Sequence, residues 1–137
     1  MPLVANSTAG AVSRKRIEQY VAAKEKATVV AAADEATTQS AATLLAGGPV
    51  VYTMTPTAGR ALTTPTGAQL AAAVADEVVG TSFEFTVVNL APATHAVTLT
   101  AGASGVTLSG DVVVEAATSS TFLGVFTAAD TVVIYKK

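Results

Sequence analysis

Acid–base chemistry in this chain would have to start from its only histidine, His95, or from the adjacent carboxylates Asp76 and Glu77. A histidine base needs a carboxylate to orient it and a nucleophile to activate, and no such arrangement surrounds His95, which reads as a strand-edge residue after the Pro92 turn. A metal site would need two or three more ligands at suitable spacing, and Asp76–Glu77 reads instead as the solvated end of a short helix. The absence of cysteine excludes disulfides, thiolate zinc sites and cysteine nucleophiles together. Gly102, Gly105 and Gly110 match neither a dinucleotide fingerprint nor a phosphate loop, and their positions suit turns between strands. Asn6-Ser7-Thr8 fits a glycosylation acceptor pattern that carries no weight without a secretory signal. The basic cluster Arg14-Lys15-Arg16 is followed by Glu18 and Glu25, with Tyr20 as its one aromatic neighbour, so it reads as a protein-docking face rather than a nucleic-acid contact. These residues predict a protein that is not an enzyme and takes no cofactor or metal.

The elements that must position any contact surface are built from small side chains. The 137 residues are 50% hydrophobic and 13% charged, yet Ala (29), Thr (21) and Val (20) make up more than half the chain, while Leu, Ile, Met and Phe together number 17. Each small side chain buries little area, at roughly 25 cal/mol per Å² of apolar surface, so the core is thin and burial against a partner is expected to supplement it. One domain in a homo-oligomer or a docked subunit fits this composition. A net charge of -2 gives no general attraction to nucleic acid or to anionic lipid. No apolar run approaches the roughly 20 residues of a membrane helix. The first twenty residues lack a signal-peptide stretch, so the protein is expected to be made and assembled in the cytoplasm.

Charge divides the chain near residue 40: the first forty residues hold five of its eight basic side chains. Ser13 is placed to cap a helix with Ile17, Tyr20, Val21 and Lys24 at i, i+3, i+4 and i+7, although its basic first turn opposes the helix dipole. Thr28–Ala46 shows no firm period, and residues 1–40 read as an N-terminal arm leading into a β-domain over 41–137. In that domain, strands are predicted at Val50–Thr55, Ala61–Thr64, Phe83–Asn89, Ala96–Ala101, Gly105–Ser109, Val112–Ala116, Ser120–Thr127 and Thr131–Tyr135. Phe83, Phe85, Val87, Val97, Leu99, Val106, Leu108, Val112, Val114, Phe122 and Phe126 are predicted to point inward. Thr66 and Gln69 have the spacing of a capping box opening one short helix over Gly67–Asp76. Strands at this spacing with Gly and Ser turns predict a mainly all-β, antiparallel sandwich. The outward strand positions carry Thr and Ser where Lys and Glu would be usual, and those faces are candidate contact surfaces.

Several segments carry a family resemblance. They are Val50-Val51-Tyr52-Thr53 after a Gly-Gly turn, Ala61-Leu62-Thr63-Thr64-Pro65-Thr66 leading into Gln69-Leu70-Ala71-Ala72-Ala73, Val79-Gly80-Thr81-Ser82-Phe83-Glu84-Phe85-Thr86-Val87-Val88-Asn89, Val97-Thr98-Leu99-Thr100-Ala101-Gly102, Thr118-Ser119-Ser120-Thr121-Phe122 and Val132-Val133-Ile134-Tyr135. Over about two thirds of the chain this resembles the β-module of tailed-bacteriophage structural proteins, in particular head decoration or cement proteins. The resemblance implies a jelly-roll-like sandwich and a subunit on the capsid exterior that contacts the major capsid protein. It also implies self-association, with a homodimer suiting two-fold joints of the shell and a trimer as the alternative. On this reading Arg14, Lys15, Arg16 and Tyr20 of the arm are candidate capsid contacts. The same module in a fibre or receptor-binding part of the virion is the alternative; forty residues without sustained heptads provide no fibre stalk. A carbohydrate-binding module is disfavoured, since Trp is absent and most aromatics fall on the inward pattern.

Overall fold

The computed structural model describes residues 26–74 and 76–137. The chain passes repeatedly between two sheets. The long sheet holds β1 (Thr28–Ala31), β3 (Val50–Met54), β5 (Ser82–Asn89), β7 (Val106–Ser109), β9 (Ser119–Ala128) and β10 (Thr131–Lys136), in the order β1-β3-β5-β9-β10-β7. The short sheet holds β2 (Thr37–Thr38), β4 (Arg60–Thr63), β6 (Val97–Thr100) and β8 (Val113–Val114), in that order. Two short helices lie on the connections, α1 (Ala41–Leu44) between β2 and β3 and α2 (Gly67–Ala72) between β4 and β5.

This winding corrects the expectation of purely antiparallel pairing. A strand that returns to its sheet after a full circuit runs in the same direction as the one it joins, so β1, β3 and β5 are parallel in the long sheet and β2, β4 and β6 are parallel in the short one. Antiparallel pairing enters where β9 joins β5, where the Ala129–Asp130 turn sends β10 back along β9, and where β8 joins β6. A parallel pair needs a crossover, and in these four pairs the crossover passes through a strand of the opposite sheet rather than a long helix; β7 and β10, also parallel, are linked through β8 and β9. Strand spacing therefore resembled that of hairpins although sequence neighbours, apart from β9 and β10, belong to different sheets. The fold is mainly β with mixed sheets.

Alternation along each strand sets the core. In β3, β5, β9 and β10 every second residue is buried, and the inward side chains of both sheets form one cluster. The predicted inward residues Phe83, Phe85, Val87, Val97, Leu99, Val114, Phe122 and Phe126 are all in it. Val106, Leu108 and Val112 are only half-buried, since β7 is an edge strand and Val112 precedes the two-residue β8. Four phenylalanines provide the bulk that Ala and Val lack: Phe85 stacks on Phe122 at 5.4 Å between ring centroids, and Phe83 meets Phe126 edge-on at 6.5 Å.

The arm boundary also moves. Thr28–Ala31 pairs with β3 and Thr37–Thr38 with β4, so part of the segment read as an arm over 1–40 is sheet, and the β-domain includes residues upstream of 41. The proposed helix from Ser13 lies outside the described residues. The predicted capping box is present: Thr66 Oγ1 accepts from the Gln69 N–H at 3.1 Å, and Gln69 Oε1 accepts from the Thr66 N–H at 2.9 Å. The helix it opens ends at Ala72, and α1, capped by Ser40, was not anticipated in the Ala/Thr-rich stretch.

Candidate interaction surface

The strand registers place the outward side chains of the long sheet in rows. One row runs Val29, Val51, Thr86, Thr121, and the next runs Ala31, Thr53, Val88, Ser119. Toward the other end lie Glu84, Leu123, Tyr135, Ser109 and then Ser82, Val125, Val133, Thr107. Among the described residues the charged groups across this face are Glu84 and the neighbouring Lys137, whose Nζ donates to Glu84 Oε2 at 3.0 Å. The short sheet's outer positions, Thr38, Ala61, Thr63, Thr98, Thr100 and Val113, carry no charge.

Such a face is inexpensive to remove from water. Covering a charge costs several kcal/mol unless it is well paired, whereas a threonine presents a methyl group and a hydroxyl that a neighbour can satisfy. Thr86 and Thr121 face each other across β5 and β9 with their hydroxyl oxygens 2.9 Å apart, so part of the face is already hydrogen-bonded within itself. Exposed apolar side chains lie within and beside this surface: Val29 on β1, Tyr135 on β10 and Leu90 just beyond β5. An open depression of about 320 Å³ between Leu44, Leu45, Gly47, Phe83 and Leu123 adjoins Glu84.

The strongest electrostatic arrangement lies away from both outer faces and is structural. Asp34, in the β1–β2 connection, accepts from Arg60 Nε at 2.7 Å, from the Thr57 backbone N–H at 3.1 Å and from Thr57 Oγ1 at 2.6 Å. The Arg60 and Thr57 donors hold the Asp34 carboxyl well below the ordinary carboxylate range, and Asp34 in turn raises the Arg60 guanidinium. The clamp ties the β1–β2 connection to the β3–β4 connection and to the first residue of β4.

His95 is half-buried in the β5–β6 connection; its N–H donates to Ala93 O at 3.0 Å and its carbonyl accepts from Asn89. Asp76 is exposed after α2. No group of three or more His, Cys, Asp or Glu that could hold a metal occurs among the described residues. No helix among them is long and apolar enough to cross a membrane. The candidate contacts Arg14, Lys15, Arg16 and Tyr20 lie outside the described residues. Sequence patterning pointed to the Thr-rich faces, but not to the Asp34 clamp, whose partners stand 23 and 26 residues away. No family model, curated protein or solved structure significantly matches the chain.

Proposed function

We propose that this protein is a structural subunit of a phage virion. It binds the outside of the assembled capsid and clamps adjacent major capsid protein subunits, stabilising the shell against the pressure of the packaged genome. The observation that carries this reading is the broad, nearly uncharged outer face of the long sheet, Thr- and Val-rich and suited to being covered. The resemblance of residues 44–135 to head decoration modules supplies the partner and the location. The chain alternates between its two sheets, and its parallel pairs depart from an antiparallel jelly roll.

The physics of the role needs only modest affinity per copy. A clip spanning two subunits contributes its binding free energy only while their joint stays closed, so a ligand of the intact lattice stabilises it by linkage. Many copies sum small contributions. The association step is expected in the host cytoplasm, and an isologous dimer would match the two-fold joints of a shell. The test is to add purified protein to isolated expanded capsids and follow particle survival on heating. Decorated shells outlasting bare ones supports the reading. Equal survival at full occupancy removes the clamping role, and binding confined to a vertex or tail tip favours a receptor-binding part of the virion instead.

A further inference from the structure

The two edges of the long sheet differ in what they offer a neighbour. β1 has no charge, no proline and no bulge, and Val29 is 66% exposed. The Thr28 N–H donates to Pro49 O and the Ala32 N–H to Thr53 O, both at 2.8 Å, so Thr28, Val30 and Ala32 turn their backbone groups toward β3. Strand alternation then directs the N–H and C=O groups of Ala27, Val29 and Ala31 outward, as a short ladder with no partner among the described residues.

Charge around this ladder is arranged for a copy of itself. Lys26 precedes β1, and Asp34 and Glu35 follow it. Asp34 is committed to Arg60, while neither Lys26 nor Glu35 forms an ion pair among the described residues. A second β1 laid antiparallel about a two-fold axis brings Lys26 of each copy to the Glu35 end of the other. A parallel arrangement would set like charges together. The opposite edge lacks this complementarity, because residues 101–110 carry no charge and Asp111 lies 3.9 Å from Lys136 of its own chain.

We propose that β1 pairs antiparallel with β1 of a second copy, joining two long sheets edge to edge into one continuous sheet. The contact is isologous and closes at two copies. With Lys26 at the Asp34–Glu35 end of the other copy, Val29 stands opposite Ala31. The row Val29, Val51, Thr86, Thr121 of one copy therefore continues into the row Ala31, Thr53, Val88, Ser119 of the other, and the uncharged outer face is doubled, which deepens the lattice-binding reading. The dimer forms in buffer without a shell, so its failure and the failure of capsid binding are separate results.

Sedimentation velocity on the full chain tests the pairing. Val29→Pro removes an outward donor and leaves the inward hydrogen bonds of Thr28, Val30 and Ala32 in place, a substitution that edge strands accept. It is expected to yield a folded monomer, with circular dichroism as the fold control. Lys26→Glu and Glu35→Lys are each expected to weaken the dimer about tenfold, through two symmetry-related charge pairs, and the double reversal K26E/E35K to restore it. A dimer that persists in folded Val29→Pro, or a double reversal no tighter than the singles, overturns the proposal. So does a full chain that stays monomeric, including the case in which deleting residues 1–25 releases dimerisation and thereby shows that they cover this edge.

Discussion

Asn89 joins the two sheets through its side chain. Its Nδ2 donates to His95 O at 2.7 Å and to Val114 O at 2.9 Å, and its Oδ1 accepts from the Ala91 N–H at 3.0 Å, all in a residue that is 1% exposed. Asn89→Asp keeps the shape but aims a carboxylate at two carbonyl oxygens. We expect a loss of about 2–4 kcal/mol in urea unfolding, because a buried network is broken and its partners are left unpaired. Asp34 sets a pH dependence whose sign follows from its lowered pKa. The folded state binds the proton less readily than the unfolded chain, so the clamp's contribution is complete above the ordinary value of 3.8 and is lost as pH falls below it. Asp34→Asn should be less stable than the parent at neutral pH, and the difference in Tm should narrow toward about pH 2.5; a constant difference would contradict the clamp. Neither residue's role was legible in the sequence. Asn89 read only as the end of a strand, and the partners of Asp34 are brought to it by the winding of the sheets.

Individual strands were more legible than their pairing. Period-two alternation at Phe83–Phe85–Val87 reports which way side chains face, and that depends on neighbours two residues away. Whether β3 lies beside β4 or β5 depends on a crossover that local patterning does not encode, so mixed sheets replaced the expected antiparallel ones. β1 and β2 were missed because four- and two-residue strands in an Ala/Thr-rich segment are too short to show a period. The capping box of α2 is a local motif and was found, but the reason a glycine follows it is not local. A Cβ on Gly67 would collide with the Asp130 carbonyl and stand 2.7 Å from the Gly105 carbonyl, so the first turn of α2 packs directly on backbone. Gly67→Ala is expected to cost about 2–4 kcal/mol, whereas Gly59→Ala, with nothing within 4 Å of the added methyl, should be near neutral. Parallel urea titrations of the two variants check this, and equal costs would mean that the close approach does not constrain the fold.

As a whole, the molecule combines a core built around four phenylalanines with two outer sheet faces that carry almost no charge. Composition indicated the thin core, and the Thr-rich outward pattern indicated the faces. The partner proposed for them rests on resemblance, because a sheet surface without titratable or aromatic clusters has no chemical signature for one ligand. A rigid face of this kind suits repeated, stoichiometric attachment to a regular lattice, where each copy needs little affinity and symmetry multiplies the effect. The most direct test is the number of copies bound per isolated expanded capsid at saturation, read by quantitative gel densitometry against an unrelated small β-domain. The account predicts saturation at hundreds of copies, on the order of the number of capsid subunit joints, and sharply reduced occupancy when Thr121→Lys places a charge in the centre of the long sheet's outer face. No binding, or a handful of copies at a single vertex, would contradict it.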